Sequence, residues 1–233
     1  MCKNVFVYGA ENPAAIKLIE DFSKSGYCVY AGFTANDRKA IDLVREIDEN
    51  IGVCIINPAD PPSFHNAADS VRDKEGYLDI LVLSAEKRCA GDGEIGDTHN
   101  YEEMLNVYDF NVNGVYKSIQ TFLPLLRLGS TKRIAFLSHK SSSINLCGKT
   151  DDYAYHMSLA AINMMLKIYF NALRSEGFTF RIYCAGEEGE GKGLAMSAKE
   201  YILRGLYYDP NEAFRSEENR LVMRDCFHRE IPW

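Results

Sequence analysis

The chain has 233 residues, 46% of them hydrophobic, with a formal net charge of −7. That length and apolar content can bury a substantial core, and residues 1–233 read as a single domain; the negative balance excludes an electrostatic match to nucleic acid or to an anionic membrane surface. Seven scattered cysteines with no Cys-x-x-Cys pair argue against a zinc cluster and against a disulfide framework, and no metal-ligand spacing is present elsewhere.

Residues 4–8 form a β-rich run, and Gly9 to Asn12 follow as a turn. Asn12 is placed to cap a helix that opens on Pro13, where the missing N–H costs nothing. A second strand is predicted over 27–33, a helix over 37–49, a third strand over 51–56 and a helix over 63–74. Residues 79–83 are a fourth strand, and 86–100 a polar loop. A long helix is predicted over 101–128, a fifth strand over 133–137, a helix over 153–175 and a sixth strand over 178–184. A flexible acidic loop over 187–193, a helix over 197–207 and a short strand over 219–223 complete the pattern. The N-terminus enters a strand directly and no apolar run is long enough to span a bilayer, so the expected compartment is the reducing cytoplasm.

Strands alternating with helices imply βαβ units. The expected fold is α/β: a Rossmann-like, doubly wound parallel sheet with helices on both faces, a three-layer sandwich. A ligand site in such a sheet lies beyond the carboxyl ends of the strands, at the switch in strand order. The loops there are 9–13, 84–99, 138–152 and 185–193.

The stretch DDYAYHMSLAAINMML, residues 151–166, places Tyr155 one helical turn before Leu159. A tyrosine with lysine at that spacing makes an acid–base site, because the ammonium stabilises a tyrosinate. Here the second position is leucine. Three segments taken together resemble the short-chain dehydrogenase/reductase family, within it the C-factor and carbonyl-reductase-like branch. These are YAYHMSLAAINM, NVNGVYKSIQTFLPLL at 111–126, and the closing REIPW. The resemblance extends over essentially the whole chain.

The resemblance implies a catalytic set of Asn, Ser, Tyr and Lys. Asn111 and Tyr155 stand at matching positions, and Leu159 replaces the lysine. LSHKSSSI, residues 137–144, aligns with the family's serine motif so that Ser138 takes its first serine and His139 its second. Ser141, Ser142 and Ser143 lie close enough to present a hydroxyl instead, and His139 is a candidate replacement acid. His156 is expected to face away from Tyr155.

The family's cofactor is NAD or NADP, and the matching positions here are Gly9, Asn12, Pro13, Thr34, Asn57, Ser84, Ala85 and Gly186. The glycine-rich turn reads YGAENPAA, with Gly9 kept and Pro13 and Ala15 in place of the later glycines. Pro13 removes an N–H and Ala15 adds a methyl where pyrophosphate would approach, so dinucleotide binding is expected to be weakened. The Asn-Asn-Ala-Gly segment reads Leu83-Ser84-Ala85-Glu86, and Thr34 leaves the choice between NAD and NADP open.

Two functions remain on this reading. One is a carbonyl reductase-like oxidoreductase acting weakly on a small-molecule carbonyl. The other is a non-catalytic binding or oligomerisation protein of the same fold that does not bind dinucleotide. An unassisted tyrosine near pKa 10 is ionised in roughly one molecule per thousand at pH 7, which leaves reduction, needing only an acid, as the accessible direction. The resemblance also implies a homodimer through helices 101–128 and 153–175, with Asn163, Lys167 and Asn171 at the edge.

Overall fold

The computed structural model describes residues 2–89, 93–184, 202, 220–225 and 229–233. The expected acidic loop at 187–193, most of the helix expected at 197–207, the start of the last expected strand and Gly186 lie outside them.

Apolar strands align first. β1 (Asn4–Tyr8), β2 (Cys28–Phe33), β3 (Gly52–Ile55), β4 (Ile80–Leu83), β5 (Arg133–Ser138) and β6 (Thr179–Cys184) are rich in Val, Ile, Phe and Tyr, and most of their residues are buried. That is the pattern of strands covered on both faces. With β7 (Met223–Arg224) and β8 (Glu230–Ile231) they make one sheet ordered β3-β2-β1-β4-β5-β6-β7-β8. All pairs are parallel except β7 with β8. The expected parallel sheet is present, with one antiparallel pair added at its edge: the few residues between β7 and β8 cannot make a parallel crossover, which needs about a dozen or more.

Helices cover both faces. α1 (Pro13–Lys24) is capped as expected, with the Ala14 N–H donating to Asn12 Oδ1 at 2.9 Å. It buries Ala15, Leu18, Ile19 and Phe22 beside α2 (Arg38–Ile47). α3 (Pro61–Glu75) begins two residues before the expected start, because both prolines fit the first helical turn, where N–H groups have no intrahelical acceptor. It packs on the opposite face with α5 (Gly114–Leu128) and α6 (Tyr153–Leu173).

The helix expected over 101–128 is not continuous. α4 (Tyr101–Tyr108) passes into a π-helical turn, Asp109–Asn113, before α5 begins. Such a turn inserts a residue and re-aims side chains, and it recurs at functional sites. Here it contains Asn111.

Strand order reverses between β1 and β4. The chain runs outward through β2 and β3, and α3 carries it back to the other side of β1. The crevice beyond the carboxyl ends of β1 and β4 is therefore the predicted ligand position.

Candidate functional site

At that crevice Gly9 follows β1 with φ +85°, and a Cβ there would stand 2.2 Å from the Ala85 backbone nitrogen. Gly9 is required by backbone packing as well as by its left-handed conformation. Ser84 and Ala85 follow β4 and are buried. The Ser84 N–H donates to the Tyr8 carbonyl at 2.8 Å, while its hydroxyl has no hydrogen-bond partner among the described residues.

The N-terminus of α1 faces the same crevice. Pro13 has no N–H, Asn12 Oδ1 takes that of Ala14, and the Asn12 carbonyl takes that of Ile16 at 3.0 Å. Glu11 reaches across to the end of β2. Its carboxylate accepts from the Thr34 N–H at 3.2 Å and from the Thr34 hydroxyl. Asn57 is exposed and holds its own turn, its side chain accepting from the Ala59 N–H at 3.0 Å.

Tyr155 is fully buried in the first turn of α6, and its hydroxyl donates to Glu86 Oε2 at 2.6 Å. The Arg88 guanidinium lies 4.0 Å from the centre of the Tyr155 ring and pairs with Asp152 at 2.8 Å. Burial, and after it the Glu86 carboxylate, push the Tyr155 hydroxyl well above the ordinary phenol value; Arg88 acts in the opposite sense. Leu159, one turn on, is a buried core residue among Ile162, Leu166 and the facing apolar side chains.

Asn111 is fully buried and joins three segments. Its Oδ1 accepts from the Lys87 N–H at 2.7 Å, and its Nδ2 donates to the Lys87 carbonyl at 2.9 Å and to Ser158 Oγ at 2.8 Å. Ser158 in turn donates to the Tyr155 carbonyl at 2.7 Å. The structure thus brings Asn111, Tyr155 and the 86–88 loop together.

The serine segment is knitted within itself. Ser138 Oγ donates to Ser142 Oγ at 3.0 Å, and Asn163 Nδ2 donates to the Ser142 carbonyl at 3.2 Å. His139 caps a 3-10 turn, its Nδ1 accepting from the Ser141 N–H at 3.2 Å and lying 2.6 Å from Ser141 Oγ. Asn163 is buried, not at a surface edge as expected. Nor does His156 turn from Tyr155: the two rings meet edge to face with centroids 5.2 Å apart. Burial holds the His156 imidazole below its ordinary 6.5.

Sequence reasoning missed Glu11 and Arg88, and it took Glu86 only as a lost glycine. Glu86 carried a usable signal, since a side chain at a crevice glycine must project into the crevice. Arg88 carried none, because its place over Tyr155 depends on how the loop folds back.

Away from the crevice, Leu105, Tyr108, Tyr116, Met157, Met164 and Ile168 are exposed on α4, α5 and α6. A groove of 530 Å³ is lined by Tyr108, Tyr116, Met164 and Ile168 among others. Among the described residues no helix is long and apolar enough to cross a membrane, and no group of three or more His, Cys, Asp or Glu could hold a metal ion.

Comparison with known proteins gives a consistent result. A family model described as short chain dehydrogenase matches residues 3–187. An uncharacterised oxidoreductase of Saccharomyces cerevisiae is 27% identical over 239 residues, which cover 97% of this chain and 90% of that protein. The C-signal protein of Myxococcus xanthus is 34% identical over 108 residues, 44% of this chain and 61% of its own. The solved structure of an NADH-dependent reductase complexed with NAD has a TM-score of 0.73 at 14% identity, covering 86% of this chain and 88% of the other, a likeness of fold.

Proposed function

This chain belongs to the short-chain dehydrogenase family of oxidoreductases, and from that premise we propose that it is a weak, carbonyl reductase-like enzyme whose hold on NAD or NADP is loosened. The observation that carries the reading is Tyr155, a buried hydroxyl kept un-ionised beside Glu86. A neutral phenol can give a proton to a carbonyl oxygen as hydride reaches the carbon, whereas alcohol oxidation needs a base that Leu159 does nothing to favour.

Two features of the crevice fit a nicotinamide dinucleotide. The positive end of α1 stands beside the Gly9 turn, and the buried Ser84 hydroxyl has no partner among the described residues. Gly9, Asn12, Pro13, Thr34, Asn57, Ser84 and Ala85 would hold the group, with Gly186 added from the family pattern. When bound, it supplies the hydride. The loosening is supported by Pro13 and the Asn12 cap, which leave few N–H groups for pyrophosphate, and by the Glu11 carboxylate on Thr34. Tyr155 holds the transferable proton, and Asn111 positions the loop beside it through Lys87.

The apolar face of α4, α5 and α6 supports a homodimer, in keeping with the common oligomeric state of the family. A second reading, a non-catalytic protein of this fold, is favoured by one observation: Asn12, Glu11 and Glu86 already satisfy the groups that a cofactor and substrate would use.

Thermal unfolding with NAD⁺, NADH, NADP⁺ and NADPH separates the two. Ligand at a hundred times its Kd stabilises the folded state by about 2.7 kcal/mol. The reductase reading expects a raised Tm and carbonyl reduction that Tyr155→Phe lowers by about 10²-fold. No shift at millimolar dinucleotide would favour the non-catalytic reading.

A further inference from the structure

The family's lysine serves to ease proton movement at the tyrosine, and Leu159 removes it. Burial of Tyr155 makes the loss more severe, because a buried hydroxyl that gives up its proton must recover one from solvent. Its described hydrogen-bond partner is the carboxylate of Glu86, on an exposed residue. Oxygen to oxygen the separation is 2.6 Å, a short bond of the charge-assisted kind. Arg88 supplies a cation at the ring, held in turn by Asp152. The residue between them, Lys87, is clamped through both its backbone groups by Asn111. The clamp therefore holds Glu86 and Arg88 at Tyr155 together.

We propose that Glu86 is the proton-exchange partner of Tyr155, connecting the buried hydroxyl to solvent, and that Arg88 is the positioned cation that replaces the missing lysine. The proposal rests on the reductase reading for its catalytic use. A bound dihydronicotinamide would supply the hydride to the carbonyl carbon, and Tyr155 gives its proton to the carbonyl oxygen. The O–H bond of Tyr155 breaks and a phenolate remains beside Arg88. Glu86 binds a solvent proton, passes it to the phenolate oxygen and returns to a carboxylate. The pair is restored, and no electrons are exchanged within it.

The charged groups facing the hydroxyl and its ring are Glu86, Arg88 and Asp152, with His156 edge-on to the ring. A test without cofactor follows the Cζ resonance of Tyr155 against pH in carbon-13 tyrosine-labelled protein, assigned by its loss in Tyr155→Phe. In wild type no Tyr155 titration is expected before alkaline unfolding; Glu86→Gln is expected to bring it down by about one pH unit or more, toward the readable range, and Arg88→Gln added to Glu86→Gln to move it back upward. A titration that neither substitution moves overturns the proposal.

Turnover gives the second readout. Glu86→Gln is expected to lower kcat for carbonyl reduction by about 10²-fold with KM little changed. Glu86→Asp should retain most of the rate, and added formate should restore part of it in Glu86→Gly. A kcat equal to or above wild type in Glu86→Gln overturns the proposal and makes Glu86 an obstruction. If the wild-type protein neither binds dinucleotide nor turns over, the reductase reading falls, and the cofactor-free titration alone decides whether the coupled pair stands.

Discussion

Asn111 brackets Lys87 from both sides, accepting its N–H at 2.7 Å and donating to its carbonyl at 2.9 Å. One buried amide thus replaces two backbone hydrogen bonds for the loop that follows β4. Asn111→Ala is expected to cost about 2 kcal/mol or more, since buried donors and acceptors are left unpaired. Urea denaturation measures the loss, and hydrogen exchange should show the Lys87 amide losing protection. Unchanged exchange at Lys87 would mean that the loop is held by other contacts.

Leu159 is 1% exposed within the core. Restoring the family residue by Leu159→Lys is expected to destabilise the fold by about 3 kcal/mol, because a charge enters an apolar site without a prepared acceptor. A variant of wild-type stability with tighter dinucleotide binding would show instead that the ammonium reaches the crevice.

Glu11 places a carboxylate on both donor groups of Thr34 at the end of β2. Glu11→Gln removes a negative charge from the path of a pyrophosphate or ribose. The expected outcome is a larger dinucleotide-induced rise in Tm than wild type shows, read in the same titration. An equal or smaller rise would mean that Glu11 assists binding.

His156 carries the pH prediction. Burial lowers its folded value below the ordinary 6.5. Between the two values the unfolded chain binds more protons than the folded one, so stability rises with pH there. It is fully present above 6.5 and is lost as pH falls through 6.5 toward the folded value. Thermal unfolding on either side of 6.5 should show this loss, and His156→Gln should flatten it.

The face carrying Ile168 and Met164 gives the prediction on assembly. Both are 62% exposed, and together with Leu105 and Tyr116 they leave an apolar surface of a kind that marks protein contact sites. Size exclusion with light scattering is expected to find a dimer, and Ile168→Glu a monomer at micromolar concentration. A monomeric wild type would remove this reading.

Much of this was legible in the chain. The boundaries of β1 and the start of α1 follow from Asn4, Asn12 and Pro13, whose preferences act over neighbouring residues. The π-helical turn at Asn111 was not legible, because the run 101–128 keeps an apolar helical period throughout. What breaks the helix there is a tertiary demand: Asn111 must meet Lys87 and Ser158, which are 24 and 47 residues away.

The site divides in the same way. By itself the sequence determined the alternating strands and helices, the switch point at Gly9 and Ser84, and the pairing of Tyr155 with Leu159, because each rests on residue type, period or adjacency. Only the tertiary structure decided that Glu86 accepts the Tyr155 hydrogen bond, that Arg88 lies over its ring and that Glu11 crosses to Thr34. Those contacts join segments 69, 67 and 23 residues apart, and electrostatic and hydrogen-bonding partners at such separation are set by where the loops close, which no local pattern encodes.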